Sequence, residues 1–256
     1  MPPEPQNKQL PKRLGKEPLL EAVWELRFAG DVSTGQELPG LLLGKLRADY
    51  PGARIELRPL ANVPPEFRNS QYQMRYGATH ALPCGEFTIL TGDNVVAVSM
   101  VKPYPGWDTF RKRISTLADW LNKAGVIRKP TAFSIRYVDF FAGSPAETLN
   151  LLAAEIRMGE FKPTSGELQL QMGVVLNEFQ GSIQVLNPVT LPGGSNPLEK
   201  TGMVTDIVVN AALRDPENAW NDIKSNLNPA KEACHRLFFN LLKPETIKSL
   251  DPIYGE

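Results

Sequence analysis

The chain has little of what many catalytic and secreted scaffolds are built from. Its 256 residues include two cysteines and two histidines. Cys84 and Cys234 lie far apart, and neither belongs to a pair with metal-ligand spacing. That excludes a disulfide framework and a zinc finger, and it suits a reducing compartment. His80 and His235 are too few for most metal-dependent hydrolase sites. No apolar run approaches the roughly 18–20 residues that span a bilayer. The opening segment, Met1 to Lys8, lacks the apolar stretch of a signal peptide. A soluble, cytoplasmic protein with no membrane association is the expectation. No sign of charge dominates: 28 basic and 28 acidic side chains cancel, which excludes a uniformly basic coat protein for nucleic acid. Nucleophile-elbow, HExxH and P-loop patterns are missing too, so no cofactor or metal is expected.

What is present is an ordinary globular composition, 42 % hydrophobic and 22 % charged. The 23 prolines and 20 glycines fall between apolar segments and punctuate many short elements. Residues 1–18 are the exception: proline-rich, basic and nearly devoid of apolar side chains, they read as a flexible arm. Leu19 to Phe28 alternates as a half-buried strand. Residues 37–49 carry a helical pattern that Tyr50-Pro51-Gly52 ends. Arg54–Arg58 and Gln71–Tyr76 alternate as strands, and Thr91-Gly92-Asp93-Asn94 is a hairpin turn between Phe87–Leu90 and Val95–Val101. Trp107, Phe110, Ile114, Leu117, Ala118 and Leu121 form one apolar helical stripe closed by Ala124-Gly125.

The second half follows with a strand over 132–141, a helix over 146–158, and strands near 167–178 and 182–190 turning at Gln180-Gly181. A loop at 191–200 leads into a strand over 203–213. Asp215 and Pro216 then start a helix that Asn228-Pro229 breaks or kinks before a second stripe through Ala230, Ala233, Cys234, Leu237, Phe238 and Leu241. Strands joined by short turns are antiparallel neighbours. The expected fold is therefore α+β: a pseudo-duplicated antiparallel sheet with helices on one face, TATA-binding-protein-like or helix-grip-like. Residues 19–130 and 131–256 would be its two halves, sharing one continuous sheet.

Three stretches resemble a sporadically distributed, uncharacterised bacterial family of similar length. They are Pro18-Leu-Leu-Glu-Ala-Val-Trp-Glu-Leu-Arg-Phe28, Tyr104-Pro-Gly-Trp-Asp-Thr-Phe110 leading on to Arg136-Tyr-Val-Asp139, and His235 with Phe239 in the last helix. The chain departs from the family pattern in having Asp139 where Asn is expected. It also has Gln71–Arg75 where a strand ending in Trp-Arg is expected. The resemblance implies a fold but no agreed reaction, and a patchy distribution fits mobile or defence-associated genes.

Candidate chemistry begins with Glu21, Glu25, Arg27, Arg136 and Asp139. If strand 19–28 neighbours strand 132–141, Arg27 would face Asp139 or Glu25 would face Arg136. That is either a polarising site or plain cross-strand ion pairing. His235, a general-base candidate by its ordinary pKa, lies beside an apolar stripe where a buried structural role is expected. The charge distribution says more. Residues 102–136 hold eight basic and two acidic side chains, a net +6, and residues 137–256 a net −6. Lys112 and Lys123 lie opposite the apolar stripe, and Arg128 and Lys129 extend the patch. Such a patch meets phosphates or an acidic protein, or simply solubilises a helix. The expectation is a non-catalytic binding or regulatory protein that partners another protein, with a homo-oligomer also open. A nucleic-acid module using 102–136 is the second reading. A ligand pocket or enzyme between sheet and helices, using Arg27, Arg136 and Asp139, is the third.

Overall fold

In the computed structural model, which describes residues 10–30, 32–157, 159–163, 165–192, 199–215 and 217–255, strand-forming alternation and helical stripes resolve into two successive series of elements. The first comprises β1 (Arg13–Leu14), β2 (Leu19–Phe28), α1 (Val32–Leu46), β3 (Glu56–Leu57), α2 (Pro65–Ser70), α3 (Tyr72–Arg75), β4 (His80–Cys84), β5 (Phe87–Thr91), β6 (Val95–Val101) and α4 (Trp107–Ala124). The second comprises β7 (Pro130–Ala142), α5 (Pro145–Leu149), β8 (Leu168–Leu176), β9 (Phe179–Leu191), β10 (Lys200–Ala212), α6 (Ala219–Leu241), α7 (Pro244–Ser249) and β11 (Pro252–Ile253).

Nine strands make one open antiparallel sheet in the order β3-β4-β5-β6-β2-β7-β10-β9-β8. The first long strand of each series lies at the centre, and β2 pairs with β7 from Leu19↔Asp139 to Phe28↔Pro130. Outward from that seam each side runs through its fourth, third and second long strands. The duplicated order is thus a pseudo-symmetric arrangement in space as well as in sequence. The fold is α+β, with helices packed on one side of the sheet.

The period of two decides which side is covered. Ala22, Trp24, Leu26 and Phe28 of β2 are buried against the helices, as are Phe133, Ile135 and Phe141 of β7 and Met203, Ile207 and Val209 of β10. α4 lays Phe110, Ile114, Leu117 and Leu121 on this layer, and α6 adds Ile223, Leu227, Ala230, Cys234 and Leu237. Each fully buried large side chain here contributes about 1.5–3 kcal/mol. Gly125 ends α4 in the left-handed region, φ 65°, where its N–H reaches the carbonyls of Leu121 and Asn122.

Several sequence expectations are corrected. Gln71–Tyr76 is not a strand: Pro64-Pro65 opens a short helix instead, and α3 follows it. The missing strand is β4, whose Pro83 disguised it. Arg54–Arg58 contributes only Glu56–Leu57. The helix expected over 146–158 stops at Leu149. Ser144 caps it reciprocally with Glu147, and Leu152 then bridges to Leu242. The β8–β9 turn lies at Asn177-Glu178, with Asn177 at φ 54°. Gly181 is inside β9, where a Cβ would come within 3.1 Å of Leu237. Asp215 does not cap α6. It accepts bonds from the Glu217 N–H and the Asn218 side chain one turn earlier, which lowers its pKa, while Pro216 lies outside the described residues. α6 runs unbroken through Pro229. Gly193 and Gly194, in the expected 191–200 loop, also lie outside the described residues. Residues 10–18 are seated on the body: β1 pairs with β11, the Lys12 N–H donates to the Ile253 carbonyl, and the Phe140 N–H donates to the Pro18 carbonyl.

Candidate functional site

With helices on one side, the other side of the nine-stranded sheet is open among the described residues, and its residues follow from register. One row crosses the molecule as Thr88, Ser99, Val23, Arg136, Val208, Ser182 and Gly173. The rows beside it carry Glu21, Val138, Asp206, Gln184 and Gln171, and Glu25, Ser134, Asn210 and Gln180. Small, uncharged positions make its floor: Ala97, Ser99 and Ser134 are buried among longer neighbours. The charged groups rise from three adjacent strands, β2, β7 and β10, and answer one another. Arg27 Nε donates to Glu25 Oε1 at 2.7 Å, and the Arg27 guanidinium lies 4.8 Å above the Tyr76 ring. Arg136 makes a two-pronged contact with Asp206, at 2.8 Å and 2.6 Å. Hydrogen bonding to Asp206 raises the Arg136 pKa against the opposing effect of burial, and the charges of Asp206, Glu21 and Glu25 add to the rise. Ser99 Oγ donates to Glu21.

Asp139 does not join this group. β7 turns Ile135, Tyr137, Asp139 and Phe141 toward the helices and Arg136 the other way, so Arg27 faces Ala132 and Glu25 faces Ser134. The expected Arg27–Asp139 and Glu25–Arg136 facing pairs are therefore corrected, although β2 and β7 are neighbours as required. The signal was available: strict alternation through Phe133-Ser-Ile-Arg-Tyr-Val-Asp139 puts Arg136 and Asp139 on opposite faces. Asp139 is 4 % exposed, and burial, with Glu17 and Asp206 adding to it, pushes its pKa up to about 8. Its Oδ2 and the Oγ1 of Thr205, its register partner, are buried without a hydrogen-bond partner among the described residues.

Clefts of about 730, 400 and 280 Å³ lie elsewhere, and none is lined by Arg27, Arg136 or Asp139. The largest runs between residues 13–19 and Lys102-Pro103-Tyr104. The smallest borders a buried pair that sequence reasoning missed. Arg68 grips Asp93 through three bonds of 2.8–3.1 Å and also reaches the Val63 carbonyl. Asp93 reads as a hairpin-turn residue in the sequence, and nothing local ties it to an arginine 25 positions earlier. A Cβ on Gly35 would meet its carboxylate at 2.3 Å, so the pair clamps α1 and α2 to the β5–β6 turn.

The basic patch is where the helical period puts it. Lys112 and Lys123 are exposed on α4, and Arg128 and Lys129 on the segment after it, with no carboxylate partner among the described residues. Asp119, between the two lysines on the same face, pairs with Lys224 at 2.5 Å. Arg113 turns back onto the Tyr50 and Phe87 rings. His235 is half-buried against Phe239, at 4.7 Å between rings, and burial lowers its pKa. Cys84 ends β4 buried, and burial raises its thiol pKa. No group of three His, Cys, Asp or Glu side chains among the described residues is placed to hold a metal ion, and no helix there is long and apolar enough to cross a membrane. No protein-family model matches the chain, and no curated protein matches it.

Proposed function

We propose that the protein is a non-catalytic binding or regulatory subunit that engages another protein through the open face of its sheet. One observation carries this reading: the uncovered face presents both signs of charge, held in fixed pairs, on a floor of Ser, Thr, Asn, Gln and Val. Charges positioned in this way select a partner by complementarity, not by bulk attraction. Among Glu21, Glu25, Arg27, Arg136 and Asp206 the acids outnumber the bases, which suits a polypeptide surface and opposes a phosphate backbone. The test compares what co-purifies at native expression with the wild type and with Arg136→Glu. The variant replaces the cation with a fourth carboxylate beside Asp206, Glu21 and Glu25, so a specific protein should be retained by the wild type and lost from Arg136→Glu. An identical set of bound proteins for both would sink the reading.

The exposed, unpaired cations of the α4 side favour a second reading, nucleic-acid binding. It requires affinity that falls steeply with salt, and at least about tenfold further with Lys112→Glu plus Lys123→Glu. A gel shift that is absent, or indifferent to salt and to these substitutions, removes it. The two readings use opposite sides of the sheet, so each can fail without the other.

A further inference from the structure

The two borders of the sheet are unlike. One ends in β3, which has two residues. The other ends in β8, nine residues long, above the usual strand length of about 5–6. β8 pairs with β9 on one side, and among the described residues no strand lies on its other side. Proteins usually protect such a border with lysine, proline, a bulge or brevity. The β8 sequence, Leu-Gln-Leu-Gln-Met-Gly-Val-Val-Leu, has no charge and no proline. Its register with β9 runs without a shift from Leu168↔Asn187 to Leu176↔Phe179. Apolar side chains are exposed on both its faces: Met172 is 47 % exposed on the helix side and Val175 82 % on the open side. Leu168, Leu170, Val174 and Leu176 pack on the core but are only half covered.

We propose that β8 pairs edge to edge with β8 of a second copy of this chain, antiparallel about a two-fold axis at Met172. That register sets Met172 opposite its own copy, Leu170 opposite Val174, Gln171 opposite Gly173 and Gln169 opposite Val175. Every pair is neutral, so the strand meets itself without like-charge repulsion. A strand bearing formal charge would find nothing complementary there. The pairing satisfies an outer row of backbone donors and acceptors and continues the half-covered apolar row from one core into the next. Because the axis stands perpendicular to the sheet, all helices stay on one side and the two open faces join into one surface. This inference stands independently of the proposed function.

Sedimentation velocity of the full chain, from low micromolar up to about 100 μM, tests it by mass action. The wild type should show a reversible dimer. Val175→Lys and Met172→Lys should each raise its dissociation constant by about fivefold or more, with the melting temperature unchanged at protein concentrations below the wild-type dissociation constant, whereas Leu57→Lys on the opposite border should have no effect. Val175 is exposed enough that its substitution leaves the fold intact, which keeps the test valid if Met172→Lys does not fold. Cys84 and Cys234 are buried, so Met172→Cys supplies an accessible thiol, and mild oxidation should link two copies through it. A wild type that stays monomeric across the range overturns the proposal. So does a dimer that survives both lysine substitutions, or one that does not cross-link at position 172.

Discussion

Asp139 shows how far one side chain's environment can depart from its sequence label. Its neighbours Arg136 and Tyr137 point to opposite faces, and the carboxyl goes with Tyr137 into the layer beneath the helices. An unfolded Asp releases its proton near pH 3.9, whereas this one keeps it to about pH 8. Between those values the folded state binds the extra proton, so stability declines as pH rises from about 4 and levels off above about 8. Asp139→Asn keeps the shape and removes the titration. The variant should be more stable than the wild type at pH 8, on the order of a few kcal/mol, and should match it near pH 4. Urea unfolding at both pH values measures this, and an equal gap at both would contradict it. Arg68 and Asp93 give the opposite case, two charges that justify their burial by meeting. Arg68→Ala leaves Asp93 buried without its cation and should cost about 3–5 kcal/mol, read as a lower urea midpoint. A loss under about 1 kcal/mol would mean that water reaches the carboxylate freely.

At the scale of elements, legibility followed the length of the pattern. α4 was readable because five turns repeat one apolar stripe between Pro105-Gly106 and Gly125. β2, β7 and β10 were readable because each alternates over seven or more residues, and β6, an almost continuous apolar run, because the turn at Thr91-Gly92-Asp93-Asn94 announces it. Short segments misled. Gln71–Tyr76 alternates by chance, and the prolines at 64 and 65 had already committed the chain to a helical turn. β4 was missed because Pro83 contradicts a strand, yet its partner Thr88 lies across a two-residue turn that tolerates it. α5 ends early because Leu151 and Leu152 are drawn to α6 and the residues after it, a tertiary contact that no local period announces.

For the molecule as a whole, the α+β class followed from turns too short to permit anything but antiparallel neighbours. The β2–β7 seam, by contrast, joins residues more than a hundred positions apart, and only its hydrophobic faces hinted at the register. The balanced charge of the sequence acquires a spatial meaning. Cations without a carboxylate partner among the described residues lie on the outer face of α4 and the segment after it, paired charges of both signs lie on the uncovered sheet, and the β8 border carries none. The open-face charges were legible as residue types, but their pairing was not. Arg136 meets Asp206, a residue 70 positions later that no motif marks.

The joining of β1 to β11 brings residues near the two ends of the chain into a single ribbon. Bonds from Lys12 to Ile253, Gly15 to Asp251 and Lys16 to Leu250 lie in sequence along it. A pull applied to the ends would load these bonds one after another, as in a zipper, before any tension reached the nine-stranded sheet. Mechanically, the ribbon is a fuse: it yields first, and the body behind Pro18 is spared.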